Sequence, residues 1–212
     1  MKSRVSLPLG IFLTLAFYGC CNCQPLNYED ARSDVQPPPF YKDAEMARFI
    51  VNQADWAALG TISTREDVVG YPIVNVKSIS DGPVGNGNGV PYLYITPMGF
   101  SAKDLAKDDR ASLMMTLAQG PYCKKKDYDP MDPRCPRVIL TGKFQKIEES
   151  SSEYDVAKSA MFGRHPWLAH MPENHGFFFA KIEIDSVGVL ATFGPVHMVS
   201  LEDYFNAPVG QQ

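Results

Sequence analysis

The run "YPIVNVKSIS", residues 71–80, sets Val74, Val76 and Ser78 on one face and Ile73, Asn75, Lys77 and Ile79 on the other. A period of two suits a strand and no helix. Other β-rich runs flank it: "AALGTIST", "YLYIT", "ASLMMTLAQ", "RVILTGKFQKIEE" and "GFFFAKIEIDSVGVLATFG", the last either one long strand or a bent pair. The stretch "DGPVGNGNGVP" carries four glycines and two prolines, which makes it a flexible loop. Two longer helices accompany the strands. In "DAEMARFIVNQADW", Ala47, Ile50, Val51 and Ala54 recur at i, i+3, i+4 and i+7. In "SSEYDVAKSAMF", Val156, Ala157, Ala160 and Met161 are expected to face inward, and the helix to end at Gly163 and Pro166. "SLEDYF" reads as a last short helix. About six strands in an antiparallel meander, with helices outside the series, predict a mainly-β, α+β domain closed into a small barrel rather than a parallel α/β sheet.

Composition agrees with one such domain. The chain has 212 residues, 45% of them hydrophobic, enough for a sizeable core. Its charged fraction of 21% argues against disorder. A net charge of −4 and a single short basic cluster, "CKKKD", do not make a nucleic-acid binder. "GNGNG" does not follow a strand and open a helix, so it is no dinucleotide fingerprint. His165, His170 and His175 stand five apart in a stretch broken by Pro166 and Pro172, a spacing that aligns on no helix face, and no metal site is read from them or from His197.

The N-terminus follows a different order: basic "MKSR", apolar "VSLPLGIFLTLAFYG", then small and polar "CCNCQ". That is the order of a secretory signal peptide, and an apolar run of about 15 residues is short of the ~20 a membrane span needs. Residues 1–23 are read as the signal, cut after Cys23. A cut after Gly19 and lipid modification of Cys20 are the alternatives. No later run is long and apolar enough to span a bilayer. Residues 24–42, with their triple proline, form an extended arm, and residues 43–208 the folded domain. Of five cysteines, Cys20, Cys21 and Cys23 leave with the signal. Cys123 and Cys135 remain, and two cysteines in an oxidising compartment are most simply one disulfide. Between them "KKKDYDPMDPR" is too polar and proline-broken for a helix or a central strand. A bridge closing this loop contributes roughly 3 kcal/mol in the chain-entropy account. A zinc site would need ligands the sequence does not offer nearby.

The densest chemistry lies in "FSAKDL". Ser101 and Asp104 form an S-x-x-D pattern that suits a helix start, with the Ser101 hydroxyl accepting from free N–H groups and Asp104 at the positive helix end. A cap gives Lys103 no work. The alternative is an anion site, in which the helix N-terminus and Lys103 receive a phosphate and Lys77 adds charge from a neighbouring strand. Both readings stand on the sequence.

"DWAALGTIST", "SISDGPVGNGNGVPYLYITP", "MTLAQGPYC", "DPMDPRC", "FGRHP", "HGFFFAKI" and "VLATFGP" together resemble the CREG family of secreted or lysosomal proteins, over about residues 44–206. The resemblance implies an FMN-oxidase-like split β-barrel and a homodimer, with the aromatic run at residues 177–179 serving strand core and dimer face. In the wider superfamily FMN lies in the cleft between subunits, its phosphate held by a basic strand residue and an S-x-K at a short helix. Ser101 and Lys103 match the S-x-K, and Lys77 stands near the strand position. The CREG branch is described as having lost or nearly lost flavin chemistry. It is described as acting in growth control, differentiation and lysosomal function through receptor binding, without catalysis. Two departures are visible. Family members carry N-glycans, whereas Asn27, Asn52, Asn75, Asn86, Asn88, Asn174 and Asn206 are all followed two residues on by something other than Ser or Thr. The family's "FGGP"-like turn is "FGP" here.

Overall fold

The structure is a computed structural model and describes residues 36–209. The signal-peptide reading of residues 1–23, and residues 24–35 of the arm, lie outside that range.

The strand-forming runs become six strands, β1 (Trp56–Ile62), β2 (Pro72–Ser80), β3 (Tyr92–Ile95), β4 (Arg110–Thr116), β5 (Arg137–Lys146) and β6 (Phe178–Leu190), and the described residues add one that no run marked, β7 (His197–Val199). They pair antiparallel in the order β3-β2-β1-β4-β5-β6-β7. A further pairing, Tyr92↔Lys181 through Ile95↔Phe178, joins β3 to β6. That pairing closes a six-stranded antiparallel barrel, with β7 left as an added strand on β6. Closure removes the free edges that an open sheet of this size would present. The alternation seen in sequence follows the pleat. Ala57 and Leu59, Leu113 and Met115, and Val138 and Leu140 point into the barrel and are at most marginally exposed.

β6 is a single long strand. Its register against β5 shifts between Thr141 and Gly142, which leaves Asp185 unopposed and bends the strand. Gly142 permits the close approach there, because a Cβ would fall on the Glu183 carbonyl.

Among the described residues five α-helices pack around the barrel. α1 (Asp43–Gln53) buries Met46, Ala47, Phe49, Ile50 and Val51 in the main core, packing on β5 and β6. α2 (Phe100–Leu105) packs on β1. α3 (Tyr122–Lys125) is one turn entering the disulfide loop, so the segment after Cys123 begins with helix where none was expected. Pro121 precedes that turn and the later prolines lie beyond it, so nothing blocks a single turn. Cys123 and Cys135 are bonded. α4 (Glu153–Arg164) covers β3 and forms a second core in which Ala157, Ala160 and Met161 meet Tyr92 and Phe179. Val156, expected inward, is 47% exposed. The stripe that α4 buries is narrow and centred on small residues, and it leaves the neighbouring Val156 outside. α5 (Leu201–Asn206) is the last short helix, capped by the Ser200 hydroxyl, which accepts from the Asp203 amide at 3.0 Å.

The glycine-rich loop after β2 is held by a buried polar group of residues. The Asp81 carboxylate accepts from Asn52 Nδ2 at 2.8 Å and from the Gly89 amide at 3.2 Å. Arg48 donates to the Gly87 carbonyl at 2.7 Å and to the Phe205 carbonyl at 3.1 Å, and the Tyr204 hydroxyl donates to the Gly89 carbonyl at 2.7 Å. Gly89 has φ +85°, and a Cβ there would stand 2.8 Å from Arg48 Nε. The loop therefore ties α1 to α5, which accounts for its glycines without a nucleotide.

Candidate functional site

α2 begins at Phe100 after Gly99, and no side chain caps it. Ser101 is thus not the cap that S-x-x-D suggested but sits inside the first turn. Its hydroxyl is fully buried and accepts from Asn75 Nδ2 of β2 at 3.1 Å. Asp104 does not serve the helix end either. Its buried carboxylate accepts from the Thr64 amide at 2.7 Å, the Thr64 hydroxyl at 2.9 Å and the Thr61 hydroxyl at 3.2 Å. The two residues clamp α2 against β2 and against the turn after β1, so the pattern is structural but ties elements together rather than capping one.

Lys103 is parted from Ser101 by the helix itself. Two residues apart in a helix lie on nearly opposite faces. Ser101 faces the barrel, whereas Lys103 is exposed and borders a surface hollow with Arg65, Phe100 and Lys107. Lys77 lies on the same face of β2 as Asn75, two residues further along and half-buried, and burial lowers its ammonium below the usual lysine value. Of the expected residues, Ser101 is thus joined to Asn75, Lys77 shares that strand face with Asn75, and Lys103 lies elsewhere. Asn75, which the motif reading passed over, is the residue that links β2 to α2. Its inward position in the "IVNVK" alternation was the only sequence signal for it.

Two of the histidines have hydrogen-bonding partners that account for them. His165 Nε2 lies 2.8 Å from the Ile79 carbonyl, and His197 Nδ1 2.9 Å from Asp43 Oδ2. Among the described residues no three His, Cys, Asp or Glu side chains group as a metal site, and no helix is long and apolar enough to cross a membrane.

The aromatic run at residues 177–179 packs on its own chain: Phe177 and Phe179 lie 5.0 and 4.6 Å from the Tyr94 ring, and Phe178 6.4 Å from Phe144. The conspicuous outer surface is elsewhere. The registers Val76↔Ala58, Ala58↔Met114, Met114↔Ile139, Ile139↔Gly188 and Gly188↔Met198 place one transverse row across six strands. Val76, Met114, Ile139 and Met198 in that row are 61%, 36%, 39% and 66% exposed. Val74 and Val196 flank it, also exposed. Side chains that share one strand face at successive positions across a sheet are neighbours, so this is a continuous apolar band.

Comparison with known proteins agrees with this architecture. The family described as CREG, beta-barrel, matches residues 38–206. Protein CREG1 of Gallus gallus is 44% identical over 178 residues, covering 83% of this chain and 91% of that protein. Protein CREG1 of Homo sapiens is 44% identical over 181 residues, covering 85% and 81%. Protein CREG2 of Homo sapiens is 36% identical over 179 residues, covering 84% and 61%. Among solved structures, a heme binding protein from Mycobacterium smegmatis superposes with a TM-score of 0.63 at 21% identity, covering 82% of this chain and 62% of that one. A Clostridium acetobutylicum protein of the pyridoxinephosphate oxidase family superposes at 0.52 with 10% identity, covering 77% and 97%. These two show the fold alone, whereas the extent and identity of the sequence matches place the chain in the CREG β-barrel family.

Proposed function

We propose that this protein acts in the secretory pathway, outside the cell or in the lysosome, as a homodimer without catalytic activity. It regulates growth, differentiation or lysosomal homeostasis by binding a partner, a cell-surface or sorting receptor among them. The observation that carries this reading is the parting of Ser101 from Lys103. A phosphate needs donors that converge on one point, and here the hydroxyl is buried against Asn75 while the ammonium lies on the opposite helix face. In this geometry the pair does not fit a flavin phosphate. The apolar row from Val76 to Met198 supports the partner-binding half of the reading. Exposed apolar area of that extent on a soluble domain marks an interaction surface, and a twofold contact between two such rows is the simplest use of it.

A second reading is FMN binding between two subunits, with oxidoreductase chemistry. Lys77 favours it: a half-buried ammonium on the same strand face as Asn75 is a charge already part-stripped of water, where an anion would gain most. Titration of FMN with the purified protein, followed by flavin fluorescence, separates the two. The proposed function predicts no saturable quenching. Saturable binding that Lys77→Ala weakens about tenfold or more, the loss expected of one charge-assisted phosphate contact, would establish the flavin reading instead.

A further inference from the structure

From the buried Cys123 the chain turns outward through Lys124, Lys125, Lys126 and Asp127, all exposed, before it returns to the buried Cys135. The fold makes little use of three lysines in a row. α3, which carries two of them, is a single turn, whose few aligned peptide dipoles reward cations only weakly. We propose that residues 124–126 are a processing site, at which an endoprotease with an acidic, lysine-accepting pocket cuts the chain and leaves two pieces joined by the Cys123–Cys135 bond. The step is hydrolysis of the peptide bond after one of these lysines. The lysine carbonyl carbon takes the oxygen of water and becomes a carboxylate, and the following nitrogen leaves as an ammonium.

A protease works on the opened form of a segment, so the rate of cutting follows the cost of opening. Here that cost is local. The Lys125 amide donates to the Pro121 carbonyl at 2.9 Å, the Lys126 amide to the Tyr122 carbonyl at 3.2 Å, the Asp127 amide to the Lys124 carbonyl at 3.2 Å and the Tyr128 amide to the Cys123 carbonyl at 2.9 Å. Opening this turn breaks no strand ladder. Lys125 has a further interaction, which opening releases as well. Asp127 sits at φ +54°, a left-handed conformation that costs a residue with a side chain, and extension relieves it. The flanks stay in place. Arg134 lies 4.5 Å over the Tyr128 ring and pairs with Asp132 at 2.6 Å, and Arg137 donates to the Met131 carbonyl at 2.9 Å. The disulfide joins the two sides of the cut, so the barrel keeps both pieces. The β1–β2 turn, which exposes Arg65, is held differently. Its Thr64 amide donates to the buried Asp104 at 2.7 Å, and the Ser63 amide to the Tyr71 carbonyl at 2.9 Å. Opening that turn strips a buried carboxylate of its donors, which is the more expensive event.

The test is digestion of the native, full chain after signal removal by a limiting amount of trypsin. The expected first product runs as one species in denaturing electrophoresis without reductant and as two with it. The new N-terminus is expected at Lys125, Lys126 or Asp127, and every other cut, at Arg65 included, about tenfold slower or more. The cut protein is expected to keep its β-sheet circular dichroism. Lys124→Gln, Lys125→Gln and Lys126→Gln combined are expected to slow the first cut about tenfold or more while the urea midpoint stays unchanged. A first cut elsewhere, a triple variant cut as fast as the native chain, or a cut protein that loses its sheet signal overturns the proposal. Protein recovered from cells that express the whole chain, from whichever fraction holds it, is expected to carry the same break, and wholly uncut protein there also overturns it. Which fraction holds the protein tests the location proposed above, separately from the break.

Discussion

At the scale of single residues, Asp104 is the clearest case of a pattern legible in sequence with a meaning that was not. The S-x-x-D spacing marked Ser101 and Asp104 as structural. It could not distinguish a cap from a first-turn position, because Gly99 also fits the cap and the true partners, Asn75, Thr61 and Thr64, lie far away in sequence. Asp104→Ala leaves three donors without their acceptor in a buried place and is expected to cost about 3 kcal/mol. Lys103→Ala is expected to stay within about 0.5 kcal/mol. Urea unfolding of the two variants checks the contrast, and comparable losses would contradict it. Asp81 adds a pH dependence. Burial raises its carboxyl, against opposing hydrogen bonds from Asn52 and Gly89 and the charges of Arg164 and Arg48. The folded state then holds the proton more tightly than the unfolded one. The resulting stabilisation is complete below the ordinary value of 3.8 and fades as pH rises through the raised folded value. Relative to Asp81→Asn, which does not titrate, the native protein is expected to lose stability as pH rises from acid toward neutral. A difference in urea midpoints that stays constant with pH would contradict this.

At the scale of elements, the β-rich runs identified every barrel strand, although in β2 the outward face carries Val74 and Val76 and the inward face Asn75 and Lys77, so the hydrophobic pattern alone did not say which face was buried. What escaped were elements too short to carry a period. β7 has three residues, and α3 one turn. The inward face of α4 was drawn one residue too wide at Val156, since an apolar residue beside a buried stripe looks the same in sequence whether or not the sheet beneath reaches it. The bend in β6 was foreseen only as a choice between one strand and two. The structure resolves it through the shift at Gly142, where chain meets chain too closely for a side chain. Gly142→Ala is accordingly expected to destabilise by roughly 2–4 kcal/mol, read as a lower urea midpoint. A loss within about 0.5 kcal/mol would mean the β5–β6 contact is more yielding than the register implies.

At the scale of the whole molecule, barrel closure was inferred from turn spacing and is realised by the β3–β6 pairing, a contact across more than eighty residues that no local pattern specifies. The exposed apolar row proposed as the docking face was not legible. The aromatic run at residues 177–179 was read as strand core and dimer face, and its rings pack against Tyr94 and Phe144 within the chain, as the core reading requires. The exposed row is built from single, unremarkable residues on six strands, which only the strand registers bring into line. Its centre is Met114, between Ala58 and Ile139. A stable twofold contact buries about 800 Å² per partner, with apolar groups at the centre, and a charge placed there should abolish it. Because Met114 faces outward, Met114→Glu leaves the core intact. Sedimentation equilibrium at micromolar concentration is therefore the most direct measurement. The native protein is predicted to show twice the chain mass, and Met114→Glu, with unchanged circular dichroism, the mass of a single chain. A monomeric native protein, or a Met114→Glu variant as dimeric as the native one, would contradict the account.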